Sequence, residues 1–374
     1  MKIIMVGPVY PFKTGLSYYT GLMYRDLIKK HDVELISYTM QYPKLLFKKE
    51  QRDYEDDAVK IDGVTFMLHT ANPFNWVKTA HYINKKKPDL VIFQWLHPYF
   101  TPCFWSLSKL FHKRSKVMFI CHNVFPHERF PLDKWLTKIA LGQGNYFVTH
   151  SKSDAEDLKT VVKNPNFQVT VHPAYNFFKI NDMSRLEGRK QLGIGEQEKV
   201  LLFFGLVREY KGLKHLLKAM PAIKEKYADC RLVIAGDFGS SEPEYRKLID
   251  ELGIADRVDI YGGHIPIPQV EKFFAACDLV VLPYESATQS GVIQVAYSFR
   301  KPVLATNVGG LPDVVCDDKT GFVVEPLNPK ALSDAVERFF DENKAEEFKA
   351  HIEEEAYRFS WERMTEVIEG LMRQ

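Results

Sequence analysis

Short apolar runs alternate with longer amphipathic segments along the whole chain. The runs are rich in Val, Ile and Phe, which is typical of buried strands, and the segments between them carry apolar residues at helical spacing. Such alternation predicts an α/β fold, in which helices connect the strands of a parallel sheet. The predicted strands are residues 3–6, 33–37, 90–93, 117–121, 146–149 and 168–171 in the first half and 200–204, 231–235, 258–261, 279–282 and 303–305 in the second.

One segment, residues 172–188, breaks this alternation and predicts a linker. The chain therefore divides into an N-terminal α/β domain over residues 1–175 and a C-terminal one over residues 176–358. Ser153 and Glu156 have the spacing of a capping box and predict a helix start in the first domain. Two similar α/β halves joined by one linker favour a ligand held between them.

Composition limits the class of protein. With 374 residues, 45% of them apolar and 26% charged, the chain has the make-up of a soluble globular protein with two cores. No apolar run reaches the roughly 18 residues needed to span a bilayer. The start, MKIIMVG, leads directly into a strand and is not a secretion signal. The five cysteines form no Cys-x-x-Cys pair, which indicates reduced thiols in a cytoplasmic protein rather than disulfides or a zinc cluster.

Charge is distributed unevenly between the halves. Residues 1–180 hold 25 Lys and Arg against 15 Asp and Glu, whereas the remainder holds 25 against 33. Basic residues with apolar neighbours cluster at 42–52, 83–88 and 111–116. We expect peripheral contact with the anionic inner face of a membrane, and the alternative is an ordinary solvated surface. Nucleic acid is not expected as a partner, because the overall charge is near zero and no recognition motif accompanies the clusters.

Glycines and polar residues follow the predicted strands in both halves. In open α/β sheets, ligands bind beyond the carboxyl ends of the strands, so this placement predicts binding sites there. The residues are Gly7, His97, His122, Asn123, His150, Ser151, Gly205, Gly236, Gly262, Gly263, His264 and the run from Thr288 to Gly291. The chain lacks a Gly-x-Gly-x-x-Gly fingerprint at its first strand, which argues against a dehydrogenase.

The run Thr288, Gln289, Ser290 and Gly291 stands between a buried strand and a helix. Small residues at a helix start let an anion reach free N–H groups and the positive end of the helix dipole. We therefore expect a phosphate to bind there, and the alternative is an ordinary capped helix start.

Two cations follow another strand end in the same half. Arg208 and Lys211 come after Gly205 and directly before an apolar helix. A guanidinium and an ammonium three residues apart can converge on one diphosphate. The alternative is that both charges are simply solvated.

Several segments together resemble the nucleotide-sugar-dependent glycosyltransferases of family 4, which have the GT-B fold. They are FFGLVREYKGLKHLLKA, LVIAGDF, DRVDIYGGHIPIPQVEKFFAACDLVVLPY, KPVLATNVGGLPDVV and TGFVVEP. The resemblance implies two Rossmann-like domains that face each other across a cleft, with the donor bound mostly by the second and the acceptor by the first. It also implies a final helix, residues 359–374, that crosses back to the first domain.

The resemblance further implies retention of the anomeric configuration without an active-site metal or another cofactor. Arg208, Lys211 and the helix N-terminus would stabilise the departing diphosphate, a task that a metal performs elsewhere. Further donor contacts are expected at Gly15, Gly205, Gly236, Ile265, Thr288, Gln289, Ser290, Gly291 and Gln294.

The chain departs from the family at a pair of glutamates. The corresponding positions hold Ala287 and Val295, and Glu285 does not restore the pair. The sequence instead resembles a branch in which Gln289 and Gln294 are the polar replacements. This departure bears on the sugar and ribose contacts and leaves the phosphate site untouched.

The segment CHNVFPHE supplies candidates on the acceptor side. His122 matches a family histidine near the donor sugar and the reacting hydroxyl, where a neutral imidazole can orient either group. Asn123, His127 and Glu128 are further acceptor-side candidates. A satisfied buried histidine and a surface ion pair are the respective alternatives for His122 and for the last two residues.

These observations predict a hexosyltransferase of cell-surface polysaccharide or glycolipid synthesis. It would move a sugar from a UDP- or GDP-sugar to a saccharide or lipid-linked acceptor. Two alternatives stay open: a nucleotide-sugar epimerase of the same fold, and a nucleotide-sugar-binding partner subunit that has lost its catalytic pair.

Overall fold

The computed structural model describes residues 1–12, 15–47, 50–52, 54, 60–112, 114–126 and 129–374. The chain divides into two compact units, one comprising Met1–Val171 with Ser360–Gln374 and the other His172–Phe359. Each unit has its own parallel sheet and its own apolar core. The predicted fold class, two α/β domains of the Rossmann type, is confirmed. The boundaries expected from the sequence follow residues 175 and 358.

The described residues of the first unit form a seven-stranded parallel sheet. Its strands are β1 (Lys2–Val6), β2 (Asp32–Met40), β3 (Thr65–His69), β4 (Leu90–Trp95), β5 (Lys116–Cys121), β6 (Tyr146–Thr149) and β7 (Phe167–Val169). Their order across the sheet is β3-β2-β1-β4-β5-β6-β7. The central strands β1 and β4 are almost continuously apolar and buried, as expected when helices cover both faces.

The helices of the first unit are α1 (Gly15–Leu27), α2 (Pro73–Lys86), α3 (Thr101–Leu110), α4 (Asp133–Leu141), α5 (Lys152–Val161) and α13 (Trp361–Met372). The last of these packs on α1, where Thr365 Oγ1 donates a hydrogen bond to Asp26 Oδ2 at 2.6 Å. The C-terminal helix thus belongs to the core of the first unit. No described helix is long and apolar enough to cross a membrane.

The second unit is built on a six-stranded parallel sheet. Its strands are β8 (Lys199–Phe204), β9 (Cys230–Gly236), β10 (Val258–Gly262), β11 (Leu279–Leu282), β12 (Val303–Thr306) and β13 (Gly321–Val324), in the order β10-β9-β8-β11-β12-β13. The helices are α6 (Arg185–Leu192), α7 (Leu213–Lys226), α8 (Glu242–Glu251), α9 (Ile267–Ala276), α10 (Gly291–Ser298), α11 (Pro329–Asp341) and α12 (Lys344–Glu354).

Three local predictions were wrong. Strands β3 and β13 were missed, since both are short edge strands that bury only part of their residues. Helix α5 is capped by Ser151, whose side chain accepts from Asp154 N at 3.0 Å, so the expected capping box at Ser153 and Glu156 is not formed. Helix α6 begins inside the expected linker.

The strand order places one switch point in each sheet. In the first sheet, β2 and β3 follow on one side of β1, whereas the strands after β4 are added on the other side. In the second sheet, β9 and β10 follow on one side of β8, and β12 and β13 are added beyond β11 on the other side. Loops diverge at such points and leave a crevice beyond the carboxyl ends of the two strands. The candidate residues that follow these strands are therefore positioned to form a site.

Candidate functional site

A glycine opens the switch point of the second unit. Gly205 follows β8 with a φ of 104°, which glycine adopts readily and other residues do not. A Cβ atom at Gly205 would lie 3.3 Å from Lys211 Nζ and 3.8 Å from Val292 Cγ2. The absence of a side chain therefore leaves space between the ammonium of Lys211 and the first turn of α10.

Lys211 holds a largely enclosed ammonium group at this point. Its Nζ lies over the ring of Tyr284, 5.5 Å from the centroid. Within the described part of the chain, no carboxylate lies at ion-pair distance from Lys211. Burial lowers the pKa of Lys211, and the Arg208 guanidinium lowers it further against the opposing effect of Tyr210. A desolvated cation without an internal counter-ion is suited to bind an anion from solution.

Arg208 brings a second cation to the same place. It precedes a 3₁₀ turn, Glu209–Lys211, and its Nη1 donates to Val207 O at 2.7 Å. The same nitrogen would lie 3.9 Å from a Cβ at Gly239, in the loop that follows β9. Arg208 has no carboxylate partner among the described residues. The two predicted cations are thus near each other.

The first turn of α10 is not capped by its own N-cap side chain. Ser290 occupies that position in an extended conformation, but its side chain makes no capping bond. Its Oγ instead lies 3.2 Å from Tyr284 Oη. Gly291 is exposed, so the N–H groups of this turn are accessible and mark the positive end of the helix dipole. Tyr284 connects this helix start to Lys211.

The loop before α10 is held by a second tight turn. Gly310 N donates to Thr288 O at 2.9 Å. Gly309 has a φ of 51°, and a Cβ atom there would lie 1.5 Å from Ala287 O. This approach of two backbones fixes the carbonyl of Thr288 and so determines how the helix start is presented.

Two glutamine side chains near this helix start carry unpaired polar atoms. Gln294 is 1% exposed, and its Oε1 has no hydrogen-bond partner among the described residues. Gln289 Nε2 is likewise buried and unpaired within the described chain. Burying such a group unpaired costs about 1–3 kcal/mol, so both amides are candidates to bind a ligand. Val295, at the second glutamate position, is buried and apolar.

Glu285 is engaged inside the unit. Its Oε1 lies 3.0 Å from Lys214 Nζ and 2.9 Å from His215 Nε2. Burial raises the pKa of Glu285, but these hydrogen bonds outweigh it and the net pKa is lowered. This carboxylate therefore holds α7 to the strand end.

The remaining donor candidates lie along the neighbouring strand ends. Gly236 ends β9 beside Gly262 of β10, and its carbonyl accepts from Gly263 N at 3.1 Å. Ile265 follows as a half-buried residue.

His122 lies next to the switch point of the first unit. Its Nε2 is 2.8 Å from Gln94 Oε1, and Gln94 belongs to β4. A Cβ at Gly7, which follows β1, would lie 2.7 Å from Gln94 Cγ. Gly7 and Gln94 thus place the imidazole beside the two strands where the loops diverge.

Aromatic and histidine rings surround His122. The ring of Tyr19 meets it edge-on, with centroids 4.6 Å apart, and the ring of His150 is 5.5 Å away. Burial lowers the pKa of His122 well below its usual value, and His150 contributes. Burial lowers the pKa of His150 to about 4, against a raising effect of Thr170 O. Both imidazoles are therefore neutral at pH 7.

Other predicted residues of the first unit have different surroundings. His97 Nδ1 accepts from Tyr99 N at 3.0 Å and caps a short turn, which accounts for this histidine. Asn123 is half-buried beside His122. Gly15 begins α1, and a Cβ there would meet no described atom within 4 Å. His127 and Glu128 lie outside the described residues.

Tyr284, Gln94 and Tyr19 were not predicted from the sequence. Tyr284 follows β11 within LPY, and Gln94 is the polar residue within the apolar run LVIFQW. A polar residue in a fully buried central strand is a usable signal, because it needs a hydrogen-bond partner. Tyr19 carries no such signal, since tyrosine on an amphipathic helix is ordinary.

Comparison with known proteins finds a family match for part of the chain. Residues 184–359, most of the second unit, match the family described as Glycosyl transferases group 1. The chain is 29% identical over 231 residues to the alpha-D-kanosaminyltransferase of Streptomyces kanamyceticus, which is 60% of this chain and 58% of the relative. The chain spans about half the length of the curated relatives that it matches.

Solved structures share the fold over the whole chain. Sucrose-phosphate synthase from Thermosynechococcus elongatus aligns with a TM-score of 0.76 at 18% identity, covering 100% of this chain and 98% of that one. Anabaena HepE in complex with UDP-glucose aligns with a TM-score of 0.73 at 19% identity, covering 100% of both chains. At this identity the likeness shows the fold alone, which is that of GT-B glycosyltransferases.

Proposed function

We propose that the chain is a glycosyltransferase that moves a hexosyl group from a UDP- or GDP-sugar to a saccharide or lipid-linked acceptor with retention. One observation carries the proposal: the ammonium of Lys211, without a described counter-ion, lies beside the open N-terminus of α10 in a glycosyl transferases group 1 domain. The proposed role is a step in cell-surface polysaccharide or glycolipid synthesis.

The phosphate chemistry follows from these groups. In the transfer, a bond from the acceptor oxygen to the anomeric carbon replaces the bond to the diphosphate, and the acceptor hydroxyl proton passes to the departing diphosphate, on which negative charge develops. Lys211, Arg208 and the N–H groups of Ser290 and Gly291 would stabilise this charge more strongly in the transition state than in the bound donor. These cations take the place of a metal, so the proposed reaction needs none.

Two amides and an imidazole would position the sugars. Gln289 Nε2 and Gln294 Oε1 are a donor and an acceptor without described partners, which fits hydrogen bonds to ribose or sugar hydroxyls. His122 is proposed to orient the donor sugar or the reacting hydroxyl in its neutral form. Ala287 and Val295, in place of two glutamates, favour a second candidate function, that of a nucleotide-sugar-binding partner subunit.

Donor turnover distinguishes these functions. The purified chain is screened by thermal shift with UDP, GDP and their sugars, since a ligand of the folded state raises the melting temperature. The nucleotide sugar that stabilises it is then incubated with the chain, saccharide acceptors and EDTA, and release of the diphosphate is followed. The glycosyltransferase releases the diphosphate and forms a product whose anomeric configuration NMR reports, whereas a partner subunit binds the donor and leaves it intact. Absence of any nucleotide-dependent shift contradicts both.

The proposed acceptor is consistent with a peripheral location on the inner face of a membrane. The excess of basic residues before residue 180 supports this location. Of the clusters expected to take part, Lys48, Lys49 and Lys113 lie outside the described residues.

A further inference from the structure

Three helices of the first unit expose large apolar side chains. Phe74 and Val77 of α2 are 88% and 57% exposed, and Trp105 of α3 is 40% exposed. Leu132, just before α4, and Trp135 within it are 68% and 59% exposed. Single exposed apolar residues are ordinary, but a group of aromatic ones on neighbouring helices indicates an interaction surface.

These side chains lie on one face of the unit. Helices α2, α3 and α4 lead to β4, β5 and β6, which follow one another in a single direction across the sheet, so right-handed crossovers place all three helices on the same side. Helix α2 packs on α3, and α3 packs on α4. All three run antiparallel to the strands, so their N-terminal ends lie at the carboxyl edge of the sheet. We call the outward surface of α2, α3 and α4 the helix face.

The helix face is basic as well as apolar. Its helices contain a single acidic residue, Asp133, which is buried and paired with Arg129. They contain the lysines Lys78, Lys85, Lys86, Lys109, Lys134 and Lys138. Of these, only Lys86 forms an ion pair with a described residue, Glu34 at 2.8 Å. Cationic groups thus lie among the aromatic side chains, and the helices of the face carry no exposed carboxylate. The adjoining helix α5 contributes Asp157, which interacts with Lys134 and Arg129 at one edge of the face.

A neighbouring loop extends the apolar surface. Leu45 and Leu46 are 87% and 63% exposed, and Phe47 stacks on Tyr42 with centroids 5.9 Å apart. Tyr42 in turn contacts Tyr99, which precedes α3. The loop therefore adjoins the carboxyl edge of the sheet, at the end of the helix face that carries Phe74 and Trp135.

We propose that the helix face docks the protein on an anionic lipid bilayer. This inference rests on the proposed function in one respect, since a lipid-linked acceptor would be found at that bilayer. Tryptophan and phenylalanine side chains partition to the headgroup boundary, and lysines around them are attracted to anionic headgroups. Val77, Leu132, Leu45 and Leu46 favour lipid over a polyanion, because aliphatic side chains neither pair with phosphates nor stack on bases.

Vesicle co-sedimentation tests the proposal on the full chain. Wild type is mixed with phosphatidylcholine vesicles with and without phosphatidylglycerol, at low and high salt. Two variants alter the helix face, Phe74→Ser/Trp135→Ser and Lys85→Gln/Lys109→Gln/Lys138→Gln. Matched controls alter exposed residues elsewhere, Leu186→Ser/Leu327→Ser and Lys163→Gln/Lys190→Gln/Lys218→Gln.

We expect salt-sensitive binding that requires phosphatidylglycerol, reduced about tenfold or more in both face variants and unchanged in the controls. Brominated lipid should quench tryptophan fluorescence in wild type and far less in Trp105→Phe/Trp135→Phe, a conservative variant that keeps aromatic packing. No vesicle binding, equal loss in the controls, or binding to single-stranded RNA alone overturns the proposal. The nucleotide-dependent thermal shift is measured on the same samples. A face variant that keeps the nucleotide-dependent thermal shift but no longer binds vesicles supports the docking proposal and leaves the proposed function intact. Wild type that binds vesicles but shows no nucleotide-dependent shift overturns the proposed function alone.

Discussion

Lys211 Nζ lies over the ring of Tyr284, 5.5 Å from its centroid, at the carboxyl edge of the second sheet. Tyr284 Oη reaches Ser290 Oγ at the start of α10, so one aromatic side chain fixes a cation against a helix N-terminus. Burial raises the pKa of Tyr284 to about 12, against the lowering effect of Ser290, so the phenol is neutral and does not compete for the ammonium. The pair thus holds a cation beside a helix N-terminus, which is the arrangement proposed to bind the diphosphate.

Removing either cation should slow transfer. Lys211→Met and Arg208→Met each delete a positive group aimed at the departing diphosphate, and we expect a loss of roughly 10²–10³ in kcat. The double variant should lose less than the product of the single losses, because both groups act on one diphosphate. Steady-state kinetics with the identified donor measure this, with the exposed Lys218→Met as control. Single variants with wild-type rates would instead favour the partner-subunit function.

Two glycine-to-alanine variants distinguish the effect of backbone strain alone from the effect of displacing the loop before α10. Gly193 and Gly309 both have positive φ, but a Cβ would meet nothing within 4 Å at Gly193 and would lie 1.5 Å from Ala287 O at Gly309. Gly193→Ala should cost about 1 kcal/mol of unfolding free energy and leave nucleotide binding intact. Gly309→Ala should cost more and also weaken nucleotide binding, since the loop that carries Thr288 must move. Urea titration and nucleotide thermal shifts check both, and equal behaviour of the two variants would refute the coupling.

Nucleotide affinity should depend on pH through Lys211. Burial lowers the pKa of this ammonium below its ordinary 10.5, so it loses its proton at a lower pH than exposed lysines do. Affinity should therefore fall as the pH rises through that lowered pKa, and a bound diphosphate should raise the pKa again, so that binding takes up protons. Without ligand, the folded state binds this proton less tightly than the unfolded state, so its contribution to stability rises with pH up to 10.5. Titration calorimetry in buffers of different ionisation heat reports the proton uptake, which should vanish in Lys211→Met.

Replacing His122 should affect transfer more than donor binding. His122→Ala removes a neutral ring held by Gln94, and we expect a fall in kcat with a nearly unchanged affinity for the nucleoside diphosphate. His122→Gln should recover part of the rate, because an amide can still hydrogen-bond. Burial keeps the pKa of His122 well below 6.5, so this residue does not titrate between pH 6 and 8. The dependence of kcat on pH in that range should therefore be the same in wild type and in His122→Gln. A variant with wild-type kcat and lost diphosphate affinity contradicts this role.

The sequence predicted the strands and the position of the site well, but it predicted few of the side-chain contacts within the site. Buried apolar runs gave most strands, and the rule for strand ends selected Gly205, Arg208, Lys211 and the start of α10 before their proximity was known. Strands β3 and β13 were missed although residues 66–68 and 322–324 are apolar, because both runs are short and lie in edge strands that bury only part of their residues. Tyr284 and Gln94 were missed because a single sequence does not show contacts between distant residues. Tyr284 lies 73 residues from its partner Lys211, and Gln94 lies 28 residues from its partner His122.

The central claim is that Lys211 and the start of α10 bind a nucleoside diphosphate, and calorimetric titration of UDP and GDP in the presence of EDTA tests it most directly. Wild type should bind at least one of them without metal. Lys211→Met should weaken that binding by roughly 10- to 100-fold, the value of one charge-assisted hydrogen bond, while Lys218→Met leaves it unchanged. Wild type that binds neither diphosphate, or a Lys211→Met variant with undiminished affinity, would contradict the account.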